Sequence, residues 1–232
     1  FHRHPEPGFA EERTAARVAD LLESFGLEVH GSIGNTGVVG ILQRGNGPGS
    51  IAFRADMDAL PITETGTAEW ASTNDGVMHA CGHDGHTSML LGAACHLAAQ
   101  DDFNGRIIFI FQPNEEHGLG ARAMIDDGLF ARFPADAVFA MHNIPDMPAG
   151  SFATRAGPMT ASESLFEITI QARGGHAALP HMGVDAILVG AQLVTALQSV
   201  VARKIDPARN GVVSITEFIT DGSRNILPSN AV

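Results

Sequence analysis

Hydrophobic and polar positions along this chain follow two periods in turn. In "AEERTAARVADLLESFGLEV" the apolar residues Ala15, Val18, Leu21, Leu22 and Phe25 recur at helical spacing, and Gly26 closes the run. "TGVVGILQRG" and "GSIAFRADMD" have strand patterns joined by a Gly/Pro/Asn turn. "TSMLLGAACHLAAQ" predicts a buried helix over 87–99, with Asp84 or Thr87 as its N-cap. "GRIIFIFQP" is a continuous apolar run, as in a strand covered on both faces. "LGARAMIDDGLF" predicts a short helix and "DAVFAMH" another buried strand. Strands and helices therefore alternate, which predicts an α/β fold: a mostly parallel sheet covered by a layer of helices on each face.

Around 150–164 the pattern gives way to "GSFATRAGPMTASES", rich in Gly, Ser, Thr and Ala, which reads as a hinge. Beyond it, "LFEITIQARGG" predicts a strand over 165–172. "GVDAILVGAQLVTALQSVVARK" predicts a long amphipathic helix over 183–202, and "GVVSITEFITDG" a strand over 212–219. The predicted domains are 1–158 and a smaller α+β domain, 159–232. The second has too small a sheet to bury its apolar residues alone, so a homodimer through residues 165–220 is expected. The chain opens on Phe1 and stops at "NILPSNAV", within what reads as an approach to a strand, so it looks truncated at the C-terminus.

Composition narrows the function. With 232 residues, 44% hydrophobic and 17% charged, the chain is long and apolar enough for a sizeable core. A net charge of −12 without a Lys/Arg run argues against nucleic acid and anionic membrane surfaces as partners, leaving a small molecule. No apolar stretch reads as long enough to span a membrane, and no signal peptide is visible. Cys81 and Cys95 are the only cysteines, and Cys95 reads as a small core residue in a helical pattern. A reducing, cytoplasmic location is the expectation.

The chemistry is concentrated in "MHACGHDGH", where Cys81 and three histidines occupy residues 78–86. Other polar clusters follow predicted strands: Arg54, Asp56 and Asp58 after "SIAF", Glu115 and Glu116 after "RIIFIFQP", His142 and Asn143 after "DAVFAM". In an α/β sheet, ligands bind at the carboxyl ends of strands, so these clusters share one edge. Each alone is ordinary, since paired glutamates after a strand usually form a solvated turn. Cys81, His83, His142 and one glutamate form a ligand set suited to Zn²⁺, with Mn²⁺, Co²⁺ or Ni²⁺ as alternatives. On an extended segment Glu115 and Glu116 diverge, so one can ligate while the other handles protons in metal-assisted hydrolysis. Two other readings stand beside this one. One is a thiol hydrolase with Cys81 as nucleophile and His83 as base; the other is a non-catalytic metal-binding or dimerisation module.

The stretches "HRHPEPGFAEERTA", "FRADMDALPI", "MHACGHDGHTSMLLGAA", "FQPNEEHGLGARAMI", "MHNIPDMPAG" and "GGHAALPHMGVDAI" run in order along nearly the whole chain. Together they resemble the metal-dependent amidohydrolases of the aminoacylase/carboxypeptidase family, in the branch holding hippurate hydrolase and the indole-acetyl-amino-acid hydrolases. The resemblance implies a two-metal catalytic domain with an inserted lid domain that commonly dimerises. It also implies cleavage of N-acyl amino acids to a carboxylate and a free amino acid. By the same resemblance, Cys81 bridges two divalent metal ions, His83 and His142 complete one, and Glu116 holds the other. Glu115 is the general base, and His176 of "GGHAALP" stabilises the oxyanion, often in the partner subunit's site. Asn225 of "RNILP" lies near the substrate carboxylate, and Asp58 orients a metal ligand. His79 and His86 match no ligand position. The family's remaining ligand, a histidine near the C-terminus, has no counterpart in these 232 residues.

Overall fold

Strand β4 (Gly105–Gln112) organises the first part of the chain because its apolar run feeds two cores at once. The computed structural model describes residues 1–232 as two units, Phe1–Ser151 and Phe152–Val232. In the first, β4 lies between β2 (Gly37–Arg44), which is antiparallel to it, and β3 (Ser50–Asp56), which is parallel. The edges are β1 (Glu28–Ile33), antiparallel to β2, and β5 (Ala137–Ala140), parallel to β3. The order β1-β2-β4-β3-β5 thus has four strands running one way and β2 opposed, a mixed and mostly parallel sheet.

Period-two alternation along β4 divides its side chains between the faces. Ile107, Phe109 and Phe111 pack against α1 (Glu12–Ser24) and α2 (His83–Ala98), meeting Val18, Leu22, Leu90, Leu91 and Ala94. Ile108 and Ile110 pack on the other face with Val39 and Ala52, against Met124 of α3 (Gly120–Asp126) and Leu129 of α4 (Leu129–Arg132). Each of the buried Val, Leu, Ile, Phe and Met side chains among these contributes roughly 1.5–3 kcal/mol. The β3-to-β4 connection runs through α2 on one face, and the β4-to-β5 connection through α3 and α4 on the other. Crossovers that part in this way leave a crevice at the carboxyl ends of β3 and β4.

Several expectations need correction. Strands β2 and β3 are joined by a turn as expected, with β4 inserted between them in the sheet, but other details differ. Helix α2 begins at His83, with Gly82 as N-cap in the left-handed region (φ 82°) rather than Asp84 or Thr87. Thr87 instead donates to the backbone carbonyl of Asp56 at 2.8 Å. Cys95 is exposed, since it falls off the buried stripe formed by His83, His86, Thr87, Leu90, Leu91 and Ala94. The helix expected in "LGARAMIDDGLF" is broken into α3 and α4 by Gly128, whose φ is 85°. Strand β5 is a half-open edge rather than a buried strand, with Val138 48% and Phe139 53% exposed.

In the second unit, α5 (Ala186–Lys204) is capped by the carboxylate of Asp185, which accepts from the backbone N–H groups of Ile187 and Leu188. It packs against β6 (Ile170–Gln171) and β9 (Asn230–Ala231), which pair with each other. By length and composition α5 is also apolar enough to cross a membrane, contrary to the expectation that no stretch would be. A second short ladder joins β7 (Gly175–His176) to β8 (Ile226–Leu227). The strand expected over 165–172 shrinks to the β6 dipeptide, and none forms over 212–219, an isolated bridge from Thr220 to Ala231 lying just beyond it. A strand extends only as far as its hydrogen-bonding partner, and here the partners are two residues long.

Candidate metal centre

The crevice is built by four pieces of chain. The turn Cys81–Gly82–His83 leads into α2, and Gly82 is required there twice over. Its φ is positive, and a Cβ on it would collide with the Asn143 side chain. The turn at 115–118 follows β4 and is closed by the Gly118 N–H donating to the Glu115 carbonyl at 2.7 Å. Behind it, fully buried Glu11 accepts from the Asn114 N–H at 2.8 Å and from Thr36 Oγ1 at 2.6 Å, anchoring the start of this loop. The "AEER" motif therefore serves the site from a distance, by holding the loop that carries both glutamates. The third piece is the end of β3 with Asp56 and Asp58, and the fourth is the segment after β5 with His142.

Two histidines have their tautomers set by their neighbours. His83 Nδ1 lies 3.2 Å from Asp58 Oδ1, and Asp58 Oδ2 accepts from the Glu116 backbone N–H at 3.0 Å. With Nδ1 donating to the carboxylate, His83 Nε2 presents its lone pair. That nitrogen is buried without any hydrogen-bond partner, as is Glu116 Oε1, and the two are 3.7 Å apart. His142 Nδ1 donates to the Asn143 carbonyl at 2.6 Å, leaving Nε2 free 3.4 Å from Cys81 Sγ. Buried polar atoms without partners are costly, and a cation would satisfy these. An imidazole whose other nitrogen is held by a carboxylate or carbonyl is the usual form of a metal-ligating histidine. The residues present therefore fit a divalent ion: Cys81, His83 and His142 bring ligand atoms within 4.8 Å of one another, and so do His83, Glu115 and Glu116.

The two glutamates do not diverge as an extended segment would require. They sit on a turn, and both carboxylates approach His83 Nε2, at 3.8 Å for Glu115 and 3.7 Å for Glu116. Their exposure separates them: the Glu115 side chain is 42% exposed and that of Glu116 17%.

Electrostatics describe a negative site that wants a cation. Burial raises the Glu116 pKa, and the neighbouring Asp58 and Glu115 carboxylates add to that against His83. Burial opposes ionisation of Asp58, yet the His83 hydrogen bond and two backbone N–H groups hold its pKa below the ordinary value. Burial likewise disfavours charge on Asp56, but the His86 hydrogen bond and the Arg54 guanidinium outweigh it and hold the group at about 2. The Cys81 thiol is pushed up to about 12 by burial and by Glu116, Asp56 and Glu115. A thiol in that state is a poor nucleophile, and the ring nearest to it belongs to His142 rather than His83. The pairing of Cys81 with His83 as nucleophile and base is not what the geometry offers.

His79 is 3% exposed, has no partner on either nitrogen, and is held neutral by burial with a pKa of about 4. It does not join the cluster. His86 does, through Asp56, and so does Asn143. The sequence signal for Asn143 was its position beside His142, while His86 was visible only as a third histidine in the motif. In the second unit, His176 and Asn225 lie on one ladder, where the Ala177 N–H donates to the Asn225 carbonyl at 2.9 Å. His176 Nδ1 accepts from the Ala178 N–H at 3.1 Å, and both His176 and Asn225 are exposed.

Residues 52–223 match the pattern described as peptidase family M20/M25/M40. A hippurate hydrolase of Campylobacter jejuni is 47% identical over 231 residues, covering 100% of this chain and 60% of its own. An N-acyl-L-amino acid amidohydrolase of Geobacillus stearothermophilus is 44% identical, over 98% of this chain and 62% of its own. Among solved structures, the Bacillus subtilis YXEP protein is described as a dinuclear metal binding peptidase of the M20 family. It superposes with a TM-score of 0.69 at 33% identity, over 99% of this chain and 59% of its own. The chain spans about 60% of the length of the curated relatives it matches.

Proposed function

The chain belongs to peptidase family M20/M25/M40, and from that premise we propose that it hydrolyses the amide bond of N-acyl amino acids, releasing a carboxylate and a free amino acid. Two curated relatives with that kind of name, matching along almost the whole chain, support the substrate class. The observation that carries the metal dependence is a pair of ligand groups that share His83, one with Cys81 and His142 and the other with Glu115 and Glu116, in which His83 Nε2 and Glu116 Oε1 are buried and unpartnered. Two divalent ions are proposed, Zn²⁺ or Mn²⁺ before Co²⁺ or Ni²⁺, and Cys81, His83, His142 and Glu116 would hold them.

Ions bound there supply Lewis acidity, polarising a carbonyl and making a water easier to deprotonate. Glu115, the more open carboxylate, takes the proton of the attacking water and passes it to the leaving amine nitrogen. Asp58 keeps His83 in the tautomer that offers Nε2 to an ion. His176 and Asn225, on one ladder of the second unit, are assigned to the oxyanion and the substrate carboxylate respectively. The test is hydrolysis of hippurate before and after chelation. Activity should vanish with the chelator and return with added Zn²⁺ or Mn²⁺, and turnover indifferent to chelation would sink the reading.

We also read the second unit as the lid, with pairing of two chains through residues 165–220. Exposed apolar residues support this, among them Leu165 at 87% and Leu188 at 57%. Sedimentation should show a dimer at micromolar concentration, and a monomer there would exclude the shared site. The two unbridged cysteines support a reducing, cytoplasmic setting.

A further inference from the structure

His86 and Asp56 are buried beside the candidate centre, 2% and 1% exposed, and the proposed reaction gives neither a task. Arg54 Nη1 donates to Asp56 Oδ2 at 2.7 Å, and Asp56 Oδ1 lies 2.6 Å from His86 Nδ1. On the other side of the ring, His86 Nε2 meets Asn143 twice, 3.0 Å from its backbone nitrogen and 2.9 Å from its side-chain Oδ1. Asp56 holds Nδ1 and Asn143 holds Nε2, the latter through its backbone N–H and its side-chain oxygen. Both nitrogens are then occupied. Although His86, Asp56 and His83 lie close enough together to suggest a metal, His86 has no lone pair left for one.

The Asn143 peptide leads directly to the ligands. Its carbonyl takes the His142 Nδ1 hydrogen at 2.6 Å, and its side-chain Nδ2 donates to the Gly82 carbonyl at 3.3 Å, between Cys81 and His83. The His86 and His142 rings meet edge to face with centroids 4.4 Å apart. Residues 141–150 are otherwise exposed throughout, following an edge strand. An exposed segment of this kind has little local stability of its own, so a ligand carried on it needs an anchor in the rigid core.

We propose that His86 is a positioning residue: held by Asp56 and Arg54, it pins the Asn143 peptide and thereby aims His142 Nε2 and the Cys81–His83 turn at one point. This rests on the metal-centre reading above. The probe is Co²⁺ alone, followed by the thiolate-to-cobalt absorption band and by competition with a chelator.

His86→Phe keeps a ring of similar volume and deletes both hydrogen bonds. It should weaken Co²⁺ binding by about 10–100-fold and diminish the thiolate band. His86→Gln restores an acceptor for the Asn143 N–H and a donor for Asp56, and should recover most of the affinity, which a packing role alone would not require. Should His86→Phe fail to fold, Asn143→Pro compared with Asn143→Ala decides, because both lose the side-chain contacts and only the proline also loses the N–H held by the buried ring. Wild-type protein that takes up no Co²⁺ on sulfur would overturn the metal-centre reading. Wild-type protein that does, with His86→Phe binding just as tightly or Asn143→Pro as tightly as Asn143→Ala, would overturn the positioning role alone.

Discussion

Replacing Glu115 with alanine should leave the fold and the metal content as they are and lower kcat by about 10²–10⁴. The loss corresponds to about 3–5 kcal/mol of transition-state stabilisation. The expectation follows from position. Glu115 sits on the turn after β4 with its side chain 42% exposed, so truncation opens no cavity in either core. Its carboxylate nevertheless lies 3.8 Å from His83 Nε2, within reach of water at the centre. A group acting only on a proton in flight lowers kcat and kcat/KM together and leaves KM nearly unchanged. Glu116→Ala is the contrasting variant. Its side chain is less than half as exposed as that of Glu115 and carries a buried oxygen with no partner, so metal should be lost before turnover is measured. Steady-state kinetics with elemental analysis separates the two. Near-wild-type turnover in a metal-replete Glu115→Ala protein would remove Glu115 from the mechanism.

Cys81 gives the second large effect. In metal-free protein at pH 7.5, iodoacetamide should modify it about a hundredfold more slowly than an unperturbed thiol, the small thiolate fraction being partly offset by the higher nucleophilicity of a basic sulfur. Burial, then the Glu116, Asp56 and Glu115 carboxylates, push its pKa to about 12. The sign follows directly. Below that value the thiol is protonated, so the rate should climb about tenfold per pH unit through pH 9 and 10, where an ordinary thiol levels off near its own pKa. An added divalent ion should displace the proton, since a coordinating thiol is deprotonated outright, and pH-stat titration would read its release. The measurement is best made in Cys95→Ser protein, because Cys95 is exposed and would react first. A plateau near pH 8.5 with fast alkylation would restore the nucleophile reading.

How far the sequence reaches can be judged element by element. The continuous apolar run of β4 and the helical spacing of Val18 and Leu22 are local patterns set by burial, and both appear in the structure as expected. Cys81, His83, Glu115, Glu116 and His142 stand out in the sequence because ligand chemistry restricts residue type, and the fold gathers them into two groups that share His83. Other features depend on what a residue meets rather than on what it is. The insertion of β4 between the turn-linked β2 and β3 is a long-range pairing that no local pattern states. Strands in the second unit end where their partners end. Cys95 faces outward because the buried stripe of α2 is set by the packing of the whole helix, which begins at Gly82.

By itself, then, the sequence determined the alternation of strands and helices and the identity of the chemically competent side chains, because both are written in residue type and short-range spacing. Tertiary structure alone decided which histidine nitrogen is offered to the crevice. Asp58 and the Asn143 carbonyl orient His83 and His142, and Glu11 holds the loop of the two glutamates from 103 residues away in the chain. A tautomer is set by the partner on the opposite side of the ring, and that partner arrives only when distant segments pack together.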